Sequence, residues 1–187
     1  MFIDKSLDVS KTIFIFSFFL LVSACACKPG TPPEYISADQ NSLHTVLEVN
    51  EERIISVAAI NPWNWIVKND AKGIFLDKGQ TYQFDVDKVE EWKDADILSN
   101  PEEGWKSWKS IPFSLFFWLR RCPSEPWYAL VGAVYDKSGN WHCFKIGNGI
   151  KEFSPKESGQ LYVFANDMNG FYCNNSGTLE LSIRRLE

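Results

Sequence analysis

The chain predicts an all-β fold, an antiparallel β-sandwich. Three observations carry that expectation. No long stretch shows the 3.6-residue period of an amphipathic helix. Short runs rich in β-branched residues recur along the chain between turn residues, the pattern of sandwiches. The run Thr178–Leu186 alternates cleanly. Leu179, Leu181 and Ile183 point one way and Glu180, Ser182 and Arg184 the other, as in a half-buried antiparallel strand.

The elements follow in order. Residues 1–24 read as a signal peptide. Lys5 and Lys11 precede an apolar run from Thr12 to Val22, which is too short for a bilayer span of roughly 20 residues. Asp4 and Asp8 dilute the positive start. Val22-Ser23-Ala24-Cys25 resembles the bacterial lipobox, so Cys25 is the expected lipidation site, carrying palmitate. Cleavage without lipid, or a later start at Cys27, are the poorer alternatives. Ala26 stands where an inner-membrane retention signal carries Asp, which implies an outer-membrane, lipid-anchored envelope protein. Residues 25–42 are polar and Pro-rich, a tether. Residues 43–187 are the expected sandwich domain.

Within that domain, Thr45–Val49 and Ile54–Ile60 read as strands. Gly73–Leu76 and Thr81–Val86 flank Asp77-Lys78-Gly79-Gln80, a hairpin signal. Residues 87–127 are irregular, acidic and Trp-rich at first, then strongly apolar over Ile111–Leu119. That run is expected to be buried; if exposed, it implies a partner or membrane contact. Ala129–Tyr135 and Trp141–Ile146 flank a second hairpin turn, Asp136–Asn140. Leu161–Asn166 is a further strand. Trp63 and Trp65, two apart, should face one side. Trp65 suits core packing, whereas Trp63, Trp105, Trp108 and Trp127 are candidate stacking faces.

Charge excludes one class of partner. The chain has 19 basic and 24 acidic residues, and removing 1–24 takes two of each, so the net charge stays at −5. Such a surface offers nucleic acid no electrostatic footprint. Aromatics form 15% of the chain, eight of them Trp. They supply core, and indoles also suit sugar or partner faces. Catalysis is not expected. His44 and His142 have no nucleophile or carboxylate beside them in a recognisable arrangement. Glu90-Glu91, Glu102-Glu103 and Asp94 with Asp96 read as solvated surface acids. No Gly-rich phosphate loop or zinc-type cysteine spacing occurs.

The segment Phe164–Gly177 (FANDMNGFYCNNSG) carries the most chemistry. It leaves a strand, gathers polar oxygens around two glycines, and enters the last strand. Asp167 offers a carboxylate, Asn174 and Asn175 amide oxygens, and Phe171 a loop carbonyl. Calcium takes roughly six to eight such mixed oxygens. The same residue types also build turns without metal.

Asn166-Asp167, Tyr172 and Asn174-Asn175-Ser176-Gly177 resemble the calcium loop of the bacterial PA-I galactophilic lectin family. Trp65, Gly73-Ile74, Gly79 and Trp92 resemble its first half in order. Ala129–Gly132, Lys145-Ile146-Gly147 and Ser158–Tyr162 resemble its second. The likeness covers roughly residues 55–186 and is absent over 96–121. It implies a jelly-roll, galactose-binding-like sandwich. It also implies calcium held by Asp167, Asn174, Asn175, the Phe171 carbonyl and a carbonyl from Lys93–Asp96, taken as Ala95. Two sugar hydroxyls would complete the ion, with Asp167, Met168, Asn174 and Trp127 around the sugar. The family's His-Pro sugar loop is missing; Arg121–Trp127 (RCPSEPW) stands in its place.

The resemblance sets the loops of Cys122 and Cys173 beside the same site and so implies a Cys122–Cys173 disulfide. Cys143 is expected opposite the middle of 129–135 and Cys122 beyond its far end. At about 3.3 Å per residue, that gap exceeds disulfide reach. Cys143 is then expected as a small apolar residue. The expected function is a calcium-assisted glycan-binding lipoprotein. The alternative is a non-catalytic envelope lipoprotein that binds a protein partner through 111–119.

Overall fold

The computed structural model describes residues 44–105 and 116–187. The expectations for the signal peptide, Cys25, the tether, Trp108 and Ile111–Leu115 lie outside the described residues.

Eleven strands are described: β1 (His44–Val46), β2 (Glu52–Ala58), β3 (Gly73–Leu76), β4 (Tyr82–Asp94), β5 (Ile97–Asn100), β6 (Gly104–Trp105), β7 (Leu130–Asp136), β8 (Trp141–Lys145), β9 (Gly149–Phe153), β10 (Gly159–Ala165) and β11 (Asn175–Arg185). They form a β-sandwich. One sheet has the order β1-β3-β10-β7-β8, and the other β2-β11-β4-β5-β6 with β9 also paired to β4. All pairs but one are antiparallel; β1 runs parallel to β3. Between the sheets lies a hydrophobic core. Alternate residues Leu179, Leu181 and Ile183 of β11 meet Ile74, Leu76, Leu161 and Val163 there, all buried. Each such side chain contributes roughly 1.5–3 kcal/mol of hydrophobic stabilisation.

Two expectations need correction. Asp77–Gln80 does not close a hairpin. β3 and β4 lie in different sheets, so this turn carries the chain across the sandwich. The region after Val86 is not irregular throughout, because β4 runs on to Asp94. Lys88 and Glu91 take left-handed φ values of 50° and 41°. The pairing of β4 with β11 shifts register around them. Such bulges break the period-two alternation by which a strand is read from sequence. The short strands β5, β6 and β9 carry too few residues to show any period. The hairpin of β7 and β8 is as expected, with Tyr135 opposite Trp141.

A second cluster covers the outer face of the five-stranded sheet. Val131, Ala133, Tyr162 and Phe164 are buried there with Cys122 and Tyr172, and Trp63, Trp65, Tyr135, Trp141 and Cys143 pack partly buried against them. Trp63 and Trp65 do share one side, both against Tyr162. This face also overturns the disulfide expectation. Cys122 is bonded to Cys143, with 5.9 Å between their Cα atoms. Cys173 is disulfide-bonded too, but not to Cys122. The physical reason is the path of residues 120–123. They do not extend beyond the end of β7 but fold back over the sheet. Cys143 is the strand partner of Ala133, and Cys122 packs on Ala133 from above.

Candidate calcium and ligand site

The site lies where the end of β4 meets the start of β11. Their register sets Asp94 opposite Asn175 and Lys93 opposite Ser176. The loop 166–174 closes it from the end of β10, through a single 3-10 turn, Tyr172–Asn174. Two stretches far apart in sequence, the end of β4 and the segment 166–176, therefore bring their polar groups together.

Asp167, Asn174 and Asn175 are brought together as expected. Asp167 is buried. Its Oδ1 accepts the Met168 N–H at 2.6 Å and its Oδ2 the Asn175 side-chain amide at 3.1 Å. Asn175 is buried as well, and its Oδ1 accepts no hydrogen bond. A buried amide oxygen without a donor costs free energy on the order of 1–3 kcal/mol. Asn174 is exposed at the rim. Its side-chain amide donates to Asp94 Oδ1 at 2.7 Å. The Phe171 N–H donates to the Met168 carbonyl at 3.1 Å, which shapes the loop. Ala95 enters as expected from the β4 side. It takes a left-handed φ of 46°, and its N–H donates to the Asn174 carbonyl at 3.0 Å.

Asp94, a surface acid by its sequence context, also brings its carboxylate to this corner. It is buried, and its carboxyl is held well above the usual range by that burial, against hydrogen bonds from Asn174 and Trp105. Burial likewise raises Asp167, and the nearby Asp94 charge raises it further; Met168, Asn175 and Arg121 pull the other way. Two buried carboxylates thus share one oxygen-rich corner. The tyrosine beneath them responds to both. Tyr128, also at a left-handed φ of 63°, has its phenol raised by burial, then by Asp94 and Asp167. Its hydroxyl donates to the Lys93 carbonyl, and its carbonyl accepts the Trp92 indole N–H at 2.9 Å. A left-handed non-glycine residue costs about 1–3 kcal/mol, and such strain gathers at functional sites.

The strap 120–127 is tied to the loop. Asn166, fully buried, accepts the Cys122 N–H through Oδ1 at 3.0 Å. Its Nδ2 donates to the carbonyls of Cys122, Glu125 and Pro126 at 2.9–3.0 Å. The Arg121 N–H donates to the Asp167 carbonyl at 3.1 Å, and Arg120 pairs with Met168 in a single β-bridge. Met168 therefore lies at the rim beside the strap. Trp127 is buried and stacks on Trp105, with 4.9 Å between ring centroids and 5° between planes. The Arg120 guanidinium lies 5.6 Å from the Trp127 ring. Trp127 therefore supports the strap from within and is no open platform. Phe117 and Trp118, three and two residues before Arg120, are 51% and 57% exposed. The described end of the apolar run is thus not buried as expected.

Among the described residues, no cluster of three or more His, Cys, Asp or Glu forms. The donor set is therefore two carboxylates with amide and main-chain oxygens, which suits a hard cation rather than a thiophilic one. The orphaned Asn175 oxygen fits the same group.

The fold has a likeness among solved structures. The EclA N-terminal domain, a PllA-like lectin, matches with a TM-score of 0.48 and 16% identity, over 71% of this chain and 95% of that one. No protein-family model and no curated protein matches the chain.

Proposed function

We propose that the domain binds carbohydrate through a calcium ion and acts by binding rather than catalysis. The observation that carries this reading is the buried, unpartnered Oδ1 of Asn175 beside the carboxylates of Asp167 and Asp94. A hard cation would satisfy that oxygen and neutralise both acids at once. Asp167, Asn174, Asn175 and the carbonyls of Phe171 and the Ala95 turn are the residues to hold it. Calcium accepts neutral hydroxyls readily, so a saccharide diol can replace water on the ion. Exposed Asn174 and half-buried Met168 sit at the rim, where they can touch the sugar. The likeness of Asn166-Asp167 and Asn174–Gly177 to a lectin calcium loop supports the same reading.

Calorimetry of calcium binding beside an Asp167→Ala variant tests the ion. A glycan array run in calcium and in chelator tests the sugar. Calcium binding lost in the variant, with chelator-sensitive glycan hits, is the expected outcome. No calcium binding by folded wild type would sink the reading. We place the domain in the cell envelope, lipid-anchored at Cys25 and, with Ala26 rather than Asp after it, at the outer membrane; palmitate labelling lost in Cys25→Ser checks the anchor.

A second reading has its own observation. Phe117 and Trp118 form an exposed aromatic pair, their ring centroids 5.4 Å apart. Such a pair suits a protein partner in the envelope. Crosslinking lost in Phe117→Ser with Trp118→Ser, while calcium binding persists, would favour it.

A further inference from the structure

We infer that Arg121 is the positioning residue of the ligand loop, holding both of its ends in binding geometry from beneath. The inference rests on the calcium reading above, and its test separates the two.

The Arg121 guanidinium lies 3.4 Å from the Phe164 ring centroid and 4.0 Å from that of Trp63. Its Nη1 donates to the Pro62 carbonyl at 2.5 Å and to the Tyr172 hydroxyl at 3.2 Å. No carboxylate of the described residues lies within ion-pair distance of it. Desolvation accordingly lowers its pKa, against the favourable influence of Tyr172 and Asp167. A cation held this way is costly. Ring faces return only part of that cost, whereas an apolar side chain on the same bed would face no desolvation penalty.

What the guanidinium does, and an apolar chain cannot, is join three segments. It ties the 62–63 turn to Tyr172 through Nη1, which donates to both while the planar group lies against the Trp63 and Phe164 rings. Tyr172 in turn donates to the Ala165 carbonyl at 2.7 Å. It also opens the 3-10 turn that delivers Asn174 and Asn175. The Arg121 main chain meanwhile holds the Asp167 carbonyl at 3.1 Å. One residue thus fixes Asp167 at one end of the loop and the asparagine pair at the other. Pinning both ends lowers the ordering cost paid on binding. Groups behind first ligands typically change metal affinity by about 10–100-fold.

The test compares Arg121→Met, Arg121→Lys and Leu181→Ala in the full-length protein in detergent micelles. Leu181→Ala is a core change away from the loop that lowers stability. Two readouts are taken: calcium affinity by calorimetry, and amide hydrogen exchange of residues 167–175 in chelator. Arg121→Met is expected to weaken calcium by about tenfold or more and to speed loop exchange, with exchange in β7 and β10 unchanged. Arg121→Lys, with no planar fork, is expected to recover the charge but only part of either effect. Leu181→Ala is expected to lower Tm without moving calcium affinity. The inference is overturned if Arg121→Met keeps wild-type loop exchange, or if Leu181→Ala weakens calcium as much. If wild type binds no calcium while Arg121→Met still loosens the loop, the calcium reading fails and the positioning role stands.

Discussion

Asp94 and Asn175 face one another across the β4–β11 pairing, so a carboxylate and an orphaned amide oxygen are set side by side by strand register alone. Asp94→Ala removes one of the two buried carboxyl groups there. Calcium affinity is expected to fall by about tenfold or more, read by calorimetry. Asp96→Ala, at an exposed position two residues on, is expected to leave it unchanged. Equal affinity in wild type and Asp94→Ala would remove Asp94 from the site.

The two raised carboxyls predict how calcium-free stability depends on pH. Folded Asp94 and Asp167 retain protons that the unfolded chain releases near pH 4, about the ordinary Asp value. Their contribution is therefore full below that pH and lost as pH rises through their folded pKa values. Burial of His44, whose pKa is lowered, acts oppositely: it stabilises above the ordinary histidine pKa and is lost as pH falls. The acids are isolated by difference. In chelator, Tm of wild type relative to the Asp94→Asn, Asp167→Asn double variant is expected to fall from pH 5 to pH 8. Calcium is expected to raise wild-type Tm more at pH 8 than at pH 5. A flat difference would contradict the buried-acid reading.

The Cys122–Cys143 bridge closes a span of 21 residues. Loop-closure entropy gives such a bridge about 3 kcal/mol. Cys122→Ser with Cys143→Ser is expected to lose stability of that order in chemical unfolding. A non-reducing peptide map is expected to recover these two cysteines on one linked pair of peptides. Recovery of Cys122 on a peptide with Cys173 would refute the pairing.

Gly177 sits in β11 with φ 113°, where a Cβ would meet the Glu91 carbonyl at 2.3 Å. Gly177→Ala is expected to destabilise by roughly 1–3 kcal/mol from backbone strain, with more from the clash. Because Asn175 is two residues away, calcium affinity is expected to fall with it. A Tm equal to wild type would show that the β4 bulge yields at little cost.

How much of this is legible in the sequence depends on period. β11 is legible through Leu179, Leu181 and Ile183 because one face is core and the other solvent. The pattern of β4 breaks after Val86 because Lys88 and Glu91 bulge, so its far end, with Asp94, reads as surface acid. Asp167, Asn174 and Asn175 stand out together because they lie in one short segment. The Asp94 carboxylate and Arg121 join that segment only through strand register and a strap folded over a sheet, and neither leaves a local pattern. The Cys122–Cys143 pairing is hidden for the same reason: spacing along a strand carries no sign of a chain folding back over its face.

The position of β11 has a consequence for assembly. It lies between β2 and β4, both of which precede it in the chain. Their facing edges therefore stay unpaired until this late segment inserts, a long-range closure that is slow by nature. Asn174 and Asn175 arrive with it. On the proposed calcium reading, a chain that stops short of β11 lacks both asparagines, so ligand competence would report that the sheet is complete.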